Sequence, residues 1–491
     1  MSVTRLGSQT RQLINAARHE LRSDPATVEE LRHCSARLEE PLRVALTGTL
    51  KAGKSTLLNA LVGEEIAPTD ATECTRVVTW FEQSATPRID LTHDAGRRTR
   101  LPVHRDEGRL SLDLGTVTAD RVERLQVGWP SALLGEFTLV DTPGTSSNSR
   151  DVSARTRALL LPEDRPCDVD AVVYLTRGTD GADVRLLDQL QTRVGTAAGP
   201  LGIVGVLSRA DEVKGGRERT LDAARAAADD AGRRVQRSLL PVSGLLALRG
   251  RTLRQTEFDD LAVLAAVPDS ALEFALRSVR RFTAEDADLV LSPRQRRDLL
   301  DCFGLFGIRF AVRLIRAGAT DAPALARELT AHSGLEDLRR TLHLQFGQRS
   351  TELKAHSALR SLKAVLARTP SSASRSLSRA ADRLLADTHV FRELRVLSGL
   401  RTGGLQLRDA DVVLLERVLG GEGMSPHIRL GMPADAAPEQ ISRVALTALR
   451  FWRSQAGRPA IDTATVQACA CAARSCEAML GALTLSVGRL A

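Results

Sequence analysis

The feature that most constrains the fold is a short glycine-rich loop near the start of the 491-residue chain. The loop spans residues 48–55 and reads Gly-Thr-Leu-Lys-Ala-Gly-Lys-Ser. An apolar run at 44–46 precedes it, and a helical pattern over 55–61 follows it. In such a strand–loop–helix unit the glycines allow successive backbone N–H groups to point at phosphate oxygens. The loop therefore predicts a phosphate-binding site at the start of an α/β domain.

Later apolar runs predict the rest of the sheet. They lie at 138–140, 171–175 and 203–207, are rich in β-forming residues, and are separated by helical or polar stretches. This alternation predicts a mostly parallel sheet with helices on both faces. Additional residues at 88–103, with a hairpin turn at 94–96, make the domain larger than a minimal nucleotide-binding domain.

Helical patterns flank this domain on both sides. Residues 1–40 read as two helices, and the second begins at Asp24-Pro25, where Asp is an N-cap and Pro a first-turn residue. After about residue 245 strand patterns fade, and the remainder is helical. The sequence thus predicts an α/β P-loop domain joined to an α-helical bundle.

Four residues supply the predicted phosphate and metal chemistry. Lys54 would bridge the β- and γ-phosphates, and the Ser55 hydroxyl would bind Mg²⁺. Asp141 ends an apolar run in the sequence Asp-Thr-Pro-Gly, and its carboxylate would hold Mg²⁺ through water. The N–H of Gly144 would face the γ-phosphate.

A threonine between the loop and Asp141 would complete the catalytic set by coordinating Mg²⁺ and ordering the attacking water. Thr75 is the candidate, and Thr69 and Thr72 are its competitors. At Thr145 no side-chain amide is available to orient the water, so hydrolysis is expected to be slow without assembly.

A carboxylate after another apolar run argues for guanine rather than adenine. Asp211, in Ser-Arg-Ala-Asp, can accept two hydrogen bonds from the N1 and N2 hydrogens of guanine. A helix N-cap is the alternative role for this residue. The backbone at Ser243 and Gly244 could face the guanine O6. The complete set of predicted nucleotide contacts is Gly48, Thr49, Ala52, Gly53, Lys54, Ser55, Thr56, Asp141, Ser208, Arg209, Asp211, Ser243 and Gly244.

Net charge and cysteine content bear on the possible partners and on the cellular compartment. A formal charge of +8 makes an acidic partner plausible without choosing among a phosphate ligand, an anionic membrane and a nucleic acid. Seven cysteines without a framework spacing, and no signal peptide, favour a reducing cytoplasmic location. Cys469, Cys471 and Cys476 have no nearby histidine and follow an apolar helical stripe, so core packing is expected rather than metal binding.

Five motifs together resemble the G domain of the dynamin superfamily, and the chain is similar to actinobacterial dynamin-like proteins. The motifs read GTLKAGKSTLLNAL, ATECTRVVTW, FTLVDTPGT, VLSRADEV and LLPVSG, and they fall within residues 41–250. The resemblance implies a GTPase that converts GTP to GDP and phosphate with Mg²⁺. It also implies a G domain over 41–345, with a helical extension over 251–345, and a helical trunk formed by 1–40 and 346–491.

The same resemblance implies lipid binding at the tip of the trunk, dimerisation through G domains and membrane remodelling. We expect an anionic phospholipid partner at the inner face of the plasma membrane, a homo-oligomer, no DNA partner and no RNA partner. The candidate tip comprises Leu397, Leu400, Arg401 and Leu405, where exposed leucines beside arginines could meet headgroups; an ordinary turn is the alternative. A ribosome-associated GTPase and a regulatory switch acting on a protein are the rival functions.

Two departures from the eukaryotic dynamin pattern affect the site. Leu50-Lys51 stands where those proteins carry Gln-Ser, and Lys51 could supply positive charge to the transition state. An exposed lysine without that role is the alternative. Ser208-Arg209 replaces the more common Thr-Lys or Asn-Lys; arginine can still stack over the base, but affinity is expected to be weaker.

Overall fold

The structure is a computed structural model that describes residues 2–69, 77–94, 96–106, 108–144, 150–160, 167–177, 202–212, 224–230, 239–285, 289–400 and 405–487. Its strands are β1 (Leu42–Gly48), β2 (Thr79–Gln83), β3 (Arg88–His93), β4 (Arg97–Leu101), β5 (His104–Asp106), β6 (Arg109–Ser111), β7 (Val122–Trp129), β8 (Phe137–Asp141), β9 (Ala171–Thr176), β10 (Gly202–Ser208) and β11 (Leu239–Val242).

Nine strands form one sheet in the order β11-β10-β9-β1-β8-β2-β7-β3-β4, and β5 pairs with β6 in a separate hairpin. From β11 to β8 all neighbours are parallel. Strand β2 runs antiparallel to β8 and parallel to β7, and β3 and β4 continue the sheet in antiparallel pairing. The predicted parallel sheet is confirmed, and the antiparallel pairing of β3 with β4 agrees with the predicted hairpin between them.

Burial explains which strands read as continuous apolar runs. Every residue of β9 and β10 is buried, as expected for parallel strands covered on both faces. Strand β3 alternates between buried and half-buried positions, which is typical of a strand nearer the edge. Edge strand β4 is exposed over Arg97–Arg100, and its charged side chains discourage pairing with another sheet.

Helices cover the sheet and form the rest of the molecule. They are α1 (Ser2–Glu20), α2 (Pro25–Ala36), α3 (Lys54–Val62), α4 (Ala132–Glu136), α5 (Arg150–Leu160), α6 (Gly244–Thr252), α7 (Gln255–Ala265), α8 (Asp269–Ala275), α9 (Val279–Phe282), α10 (Pro293–Arg316), α11 (Ala322–Ala331), α12 (Leu335–Gln345), α13 (Ser350–Arg368), α14 (Ser372–Asp387), α15 (His389–Leu400), α16 (Asp409–Val418), α17 (Pro426–Arg429), α18 (Pro438–Ala456) and α19 (Thr463–Val487). The predicted N-cap of α2 is confirmed, because the Asp24 carboxylate accepts hydrogen bonds from the backbone N–H groups of Ala26 and Thr27.

The helices use more than one core. Helices α1 and α2 pack on α13 and share a continuous core with the sheet, α12, α14 and the first turns of α15. Helices α6–α11 surround a second core that includes Phe282 and Phe303. Helices α16, α18 and α19 form a third core with the end of α15. The helices after residue 346 therefore divide between the first core and the third.

A polar joint ties the N-terminal helices to the sheet. The buried Asp170 carboxylate, just before β9, accepts hydrogen bonds from the Arg37 guanidinium at 2.8 Å and the Arg43 backbone N–H at 2.9 Å. Nearby, the Lys354 ammonium of α13 donates to the backbone oxygen of Glu40 at 3.0 Å. These contacts attach both helical segments to the end of β1 opposite the glycine loop.

The candidate tip does not expose its leucines as predicted. Leu397 is only 7% exposed and belongs to the third core with Trp452. Leu400 and Leu405 are partly buried against the same core, while Arg401 lies outside the described residues. The expected exposure is wrong because the helices that follow α15 fold back onto it.

The C-terminal cysteines pack in the third core, as predicted. Cys469 and Cys476 are fully buried, and burial raises the pKa of both thiols to about 11. Protonated thiols are weak metal ligands. Within the described ranges, no cluster of three or more His, Cys, Asp or Glu side chains is arranged to hold a metal ion.

The length and hydropathy of the helices decide whether any of them could span a membrane. None of those in the described part of the chain combines enough length with enough apolar character to cross a bilayer.

Arg349, which precedes α13, is expected to be important for stability. It is buried, and its guanidinium donates to the backbone oxygens of Leu419 at 2.7 Å and Gly420 at 3.0 Å, just beyond the end of α16. Replacing it with methionine leaves these oxygens without this donor, so we expect Arg349→Met to lower the free energy of unfolding by about 2–3 kcal/mol. Thermal unfolding would measure the loss, with Arg375→Met on the exposed face of α14 as control. Equal melting temperatures for both variants would contradict the assignment.

Candidate functional site

The glycine loop joins the end of β1 to the start of α3 in a conformation that glycine permits. Gly48 has φ 149°, and a Cβ there would lie 2.1 Å from the backbone oxygen of Leu175 in β9. Gly53 has φ 82° and precedes the first residue of α3. Lys51 also has a positive φ, 61°, which is uncommon for a residue with a side chain. The loop is therefore held in a tight, specific shape.

Lys54 is held inside the loop. Its side chain is buried, and its ammonium donates to the backbone oxygens of Thr49 at 3.2 Å and Gly48 at 3.4 Å. A cation at the start of α3 adds to the positive end of the helix dipole. The combination favours an anion, such as a phosphate group, at this position.

The predicted metal-binding side chains touch each other. The Ser55 hydroxyl donates to Oδ2 of Asp141 at 2.7 Å. The other carboxylate oxygen, Oδ1, is buried and has no hydrogen-bond partner among the described residues. Burial raises the pKa of Asp141, while the nearby Lys54 charge and the Ser55 hydrogen bond lower it. A hydroxyl beside a carboxylate with a spare oxygen fits Mg²⁺, which prefers oxygen ligands and retains waters.

The segment after Asp141 lies directly against the loop. The Thr142 hydroxyl donates to the backbone oxygen of Leu46 in β1 at 2.9 Å. Gly144 approaches the loop so closely that a Cβ there would lie 2.9 Å from Cα of Leu50. The predicted γ-phosphate contact and the phosphate loop are thus neighbours in the structure.

A cavity of about 130 Å³ lies beside the loop, where a base would be recognised. Its walls come from the loop and α3, the ends of β9 and β10, and the start of α6, and they include Asp211 and Gly244. Burial raises the pKa of Asp211, and a hydrogen bond with the Ser243 side chain opposes that effect. Ser208 is held at the cavity wall because its hydroxyl donates to the backbone oxygen of Thr176 at 3.0 Å.

Arg209 also lines this cavity, with a positive φ of 53°. Its guanidinium forms a 2.5 Å ion pair with Glu212, which lies 3.4 Å from Arg177. This pairing holds Arg209 at the cavity wall, and it uses Glu212 rather than the carboxylate of Asp211.

Several predicted residues remain apart from this group or cannot be placed. Thr75, Thr72 and Thr145 lie outside the described residues, and the competitor Thr69 is exposed. Lys51 is exposed on the outer surface of the loop. The structure therefore brings the phosphate, metal and base candidates together, while the role of Thr75 stays a prediction.

Sequence reasoning missed Asn59, which is fully buried in α3. Its side-chain oxygen accepts from the backbone N–H groups of Ile66 at 2.9 Å and Ala67 at 2.7 Å, and its amide nitrogen donates to the Ala67 oxygen at 2.8 Å. An asparagine within the apolar run Leu-Leu-Asn-Ala-Leu was the available signal, because a buried amide requires polar partners.

Asp141→Asn should separate stability from ligand binding. Since burial raises the pKa of Asp141, its ionised form opposes folding above that pKa, and the opposition disappears as the pH falls through it. We expect the asparagine variant, without nucleotide or metal, to melt roughly 2–5 °C higher at pH 7.5, with a smaller gain in acid. Mg²⁺-dependent nucleotide binding should weaken. Differential scanning calorimetry and nucleotide titration would measure both, and a variant that melts lower at pH 7.5 would contradict the assignment.

Comparison with known proteins matches a family model over part of the chain and a relative over most of it. A family model described as "Dynamin family" matches residues 44–166. The isoniazid-induced protein IniC of Mycobacterium tuberculosis is 46% identical over 461 residues, which cover 92% of each chain. IniA of the same organism is 34% identical over 155 residues, covering 30% of this chain and 23% of IniA. A bacterial dynamin-like protein of Nostoc punctiforme is 27% identical over 129 residues, 24% of this chain and 19% of that protein.

These matches agree with the geometry. The matched region 44–166 contains the glycine loop, Asp141 and Gly144. The similarity to IniC extends over most of the chain, so it includes helices outside the G domain. The chain belongs to the dynamin family, among the bacterial dynamin-like proteins.

Proposed function

We propose that this protein hydrolyses GTP to GDP and phosphate with Mg²⁺, and that it uses the reaction to bind and remodel a membrane. The observation that carries the enzymatic part is the 2.7 Å contact between Ser55 and Asp141, with a spare buried oxygen on the carboxylate, beside a base-sized cavity walled by Asp211. The proposed phosphate, metal and base contacts would meet there, at the ends of parallel strands, where α/β sheets bind ligands.

On the phosphate side, the chain contributes charge and donors. Lys54 and the backbone N–H groups of the loop would bind the β- and γ-phosphates, and the Gly144 N–H would approach the γ-phosphate. Ser55, Asp141 (through water) and Thr75 would hold the metal. When bound there, Mg²⁺ would neutralise the negative charge that develops on the phosphates.

Thr75 fits its proposed role by its place in the chain. It precedes Thr79 by four residues, and Thr79 is the register partner of Asp141 across β2 and β8. Four residues of chain span at most about 14 Å. A threonine so tethered can reach the side of Asp141 that faces the loop.

On the base side, the ionised Asp211 would accept the N1 and N2 hydrogens of guanine, and adenine lacks this pair of donors. The hydrogen bond from Ser243 supports the ionised form against burial, which raises the pKa of Asp211. Arg209, which pairs with Glu212, would stack over the base.

We assign Lys51 a contribution to the transition state. Its side chain is exposed, so its charge could approach the transferred phosphate when a partner covers the site. Lys51→Ala should lower turnover about tenfold or more and leave the dissociation constant for GTP nearly unchanged. Steady-state turnover and equilibrium binding measure the two quantities. Unchanged turnover at unchanged affinity would exclude this role.

The membrane part rests on family membership and on surface chemistry. An overall charge of +8 suits an anionic phospholipid surface at the inner face of the plasma membrane. Leu50, on the phosphate loop, is 49% exposed, and an apolar side chain beside the site suits self-association through the G domain. Of the candidate tip, only Arg401 stays a proposed contact with anionic headgroups, because its three leucines pack against the third core.

A GTPase that acts on a ribosome or a protein partner, without remodelling membranes, is the alternative. The same positive charge would suit a phosphate backbone. Cosedimentation with ribosomes and with liposomes distinguishes these partners.

The test is GTP turnover with and without anionic liposomes, with pelleting of the liposomes in parallel and Lys54→Ala as control. We expect turnover to require Lys54, and both pelleting and acceleration on lipid. Turnover that ignores lipid would remove the membrane proposal and retain the GTPase. Turnover equal to that of Lys54→Ala would remove both.

A further inference from the structure

Two helices begin at the nucleotide site and end near one short segment. Helix α3 begins at Lys54 beside the phosphate position, and α6 begins at Gly244 in the wall of the base cavity. The two helices pack along each other, and Gly244 lies close to Thr56. Their far portions approach residues 64–67, which immediately follow α3.

Helix α3 holds this segment through Asn59. The buried amide makes three hydrogen bonds of 2.7–2.9 Å with the backbone of Ile66 and Ala67. Because one side chain satisfies these backbone groups, a shift of α3 would move the segment with it.

Helix α6 holds the same segment through a buried ion pair. The guanidinium of Arg249 donates to the carboxylate of Glu65 at 2.5 Å, and the two side chains are only 4% and 9% exposed. The other arm of Arg249 lies 3.3 Å from Glu257 in α7, so the guanidinium bridges two carboxylates.

The β5–β6 hairpin completes the enclosure of Glu65. The Arg109 guanidinium lies 2.9 Å from the second carboxylate oxygen of Glu65, and the Leu110 N–H donates to the Glu65 backbone oxygen at 2.8 Å. The adjacent ion pair, Glu64 with Arg105, lies at the surface, because its side chains are 44% and 41% exposed.

Stability alone is a weak reason to bury such a pair. Removing two charges from water costs several kcal/mol, and well-packed apolar residues often stabilise a protein as much or more. A buried pair does fix geometry, since each charge requires its partner at one distance and angle. The segment so fixed ends eight residues before Thr75, the proposed Mg²⁺ and water ligand.

We propose that Glu65 and Arg249, with Asn59, are positioning residues that couple the base cavity and the phosphate loop to the segment leading to Thr75. This inference rests on the proposed GTPase activity and deepens it. Through α6, correct seating of the base would set the position of residues 64–67, from which the chain continues toward Thr75, the proposed Mg²⁺ and water ligand. The expected consequence is a role in turnover rather than in nucleotide affinity.

The test compares full-length Glu65→Gln, Arg249→Gln and the double variant with Glu64→Gln, which breaks the adjacent exposed pair. Glu65→Gln keeps the shape of the side chain, and the double variant leaves neither partner charged. Single-turnover GTP hydrolysis gives the rate, fluorescence titration with a labelled GDP gives affinity, and thermal unfolding reports folding.

We expect each single variant to lower the hydrolysis rate about tenfold, because small errors of position are costly in catalysis. The double variant should lose little more than the larger single loss, which would show that the residues act as one unit. The dissociation constant for labelled GDP should stay within about twofold, and Glu64→Gln should resemble the wild type.

An unchanged rate in folded Glu65→Gln would overturn the inference, as would a loss of affinity equal to the loss of rate. An equal loss in Glu64→Gln would also overturn it, because the effect would then not belong to the buried pair. These results differ from failure of the proposed function, in which the wild type itself would turn over GTP no faster than Lys54→Ala.

Discussion

The arrangement of the site depends on the parallel pairing of β1 with its two neighbours. Leu46 of β1 is in register with Asp141 of β8, and Gly48 is in register with Leu175 of β9. Parallel strands end at the same edge of a sheet, so this pairing delivers the phosphate loop, the metal carboxylate and the wall of the base cavity to one place. The contact between Ser55 and Asp141 follows from that register.

Around this edge the protein buries polar groups of the proposed site. Burial raises the pKa of the carboxyl groups of Asp141 and the half-buried Asp211. One oxygen of Asp141 is buried without a hydrogen-bond partner among the described residues. In the proposed function, a bound metal or base would compensate the desolvation of these carboxylates. Asn59 and the pair of Glu65 with Arg249 are further buried polar contacts. They lie farther from the proposed ligand, at residues 64–67.

Local motifs made the sheet and most of the site predictable. The glycine loop, Asp141 and Asp211 each follow an apolar strand, so short sequence patterns sufficed to locate them. Contacts between distant residues were not predictable in this way. Glu65 and Arg249 are 184 positions apart in the sequence. The burial of Leu397 depends on later helices that fold back and pack against α15. Helical periodicity identifies an apolar face but not the helix that covers it.

The most direct test of the account is the nucleotide selectivity of the purified protein, measured as equilibrium dissociation constants for GDP, ADP and xanthosine diphosphate. We expect GDP to bind at least about a hundredfold more tightly than ADP. We also expect Asp211→Asn to shift the preference toward the xanthine nucleotide, because an amide can donate to the xanthine O2. Equal affinity for GDP and ADP, or a selectivity that Asp211→Asn leaves unchanged, would contradict the assignment of this cavity to guanine.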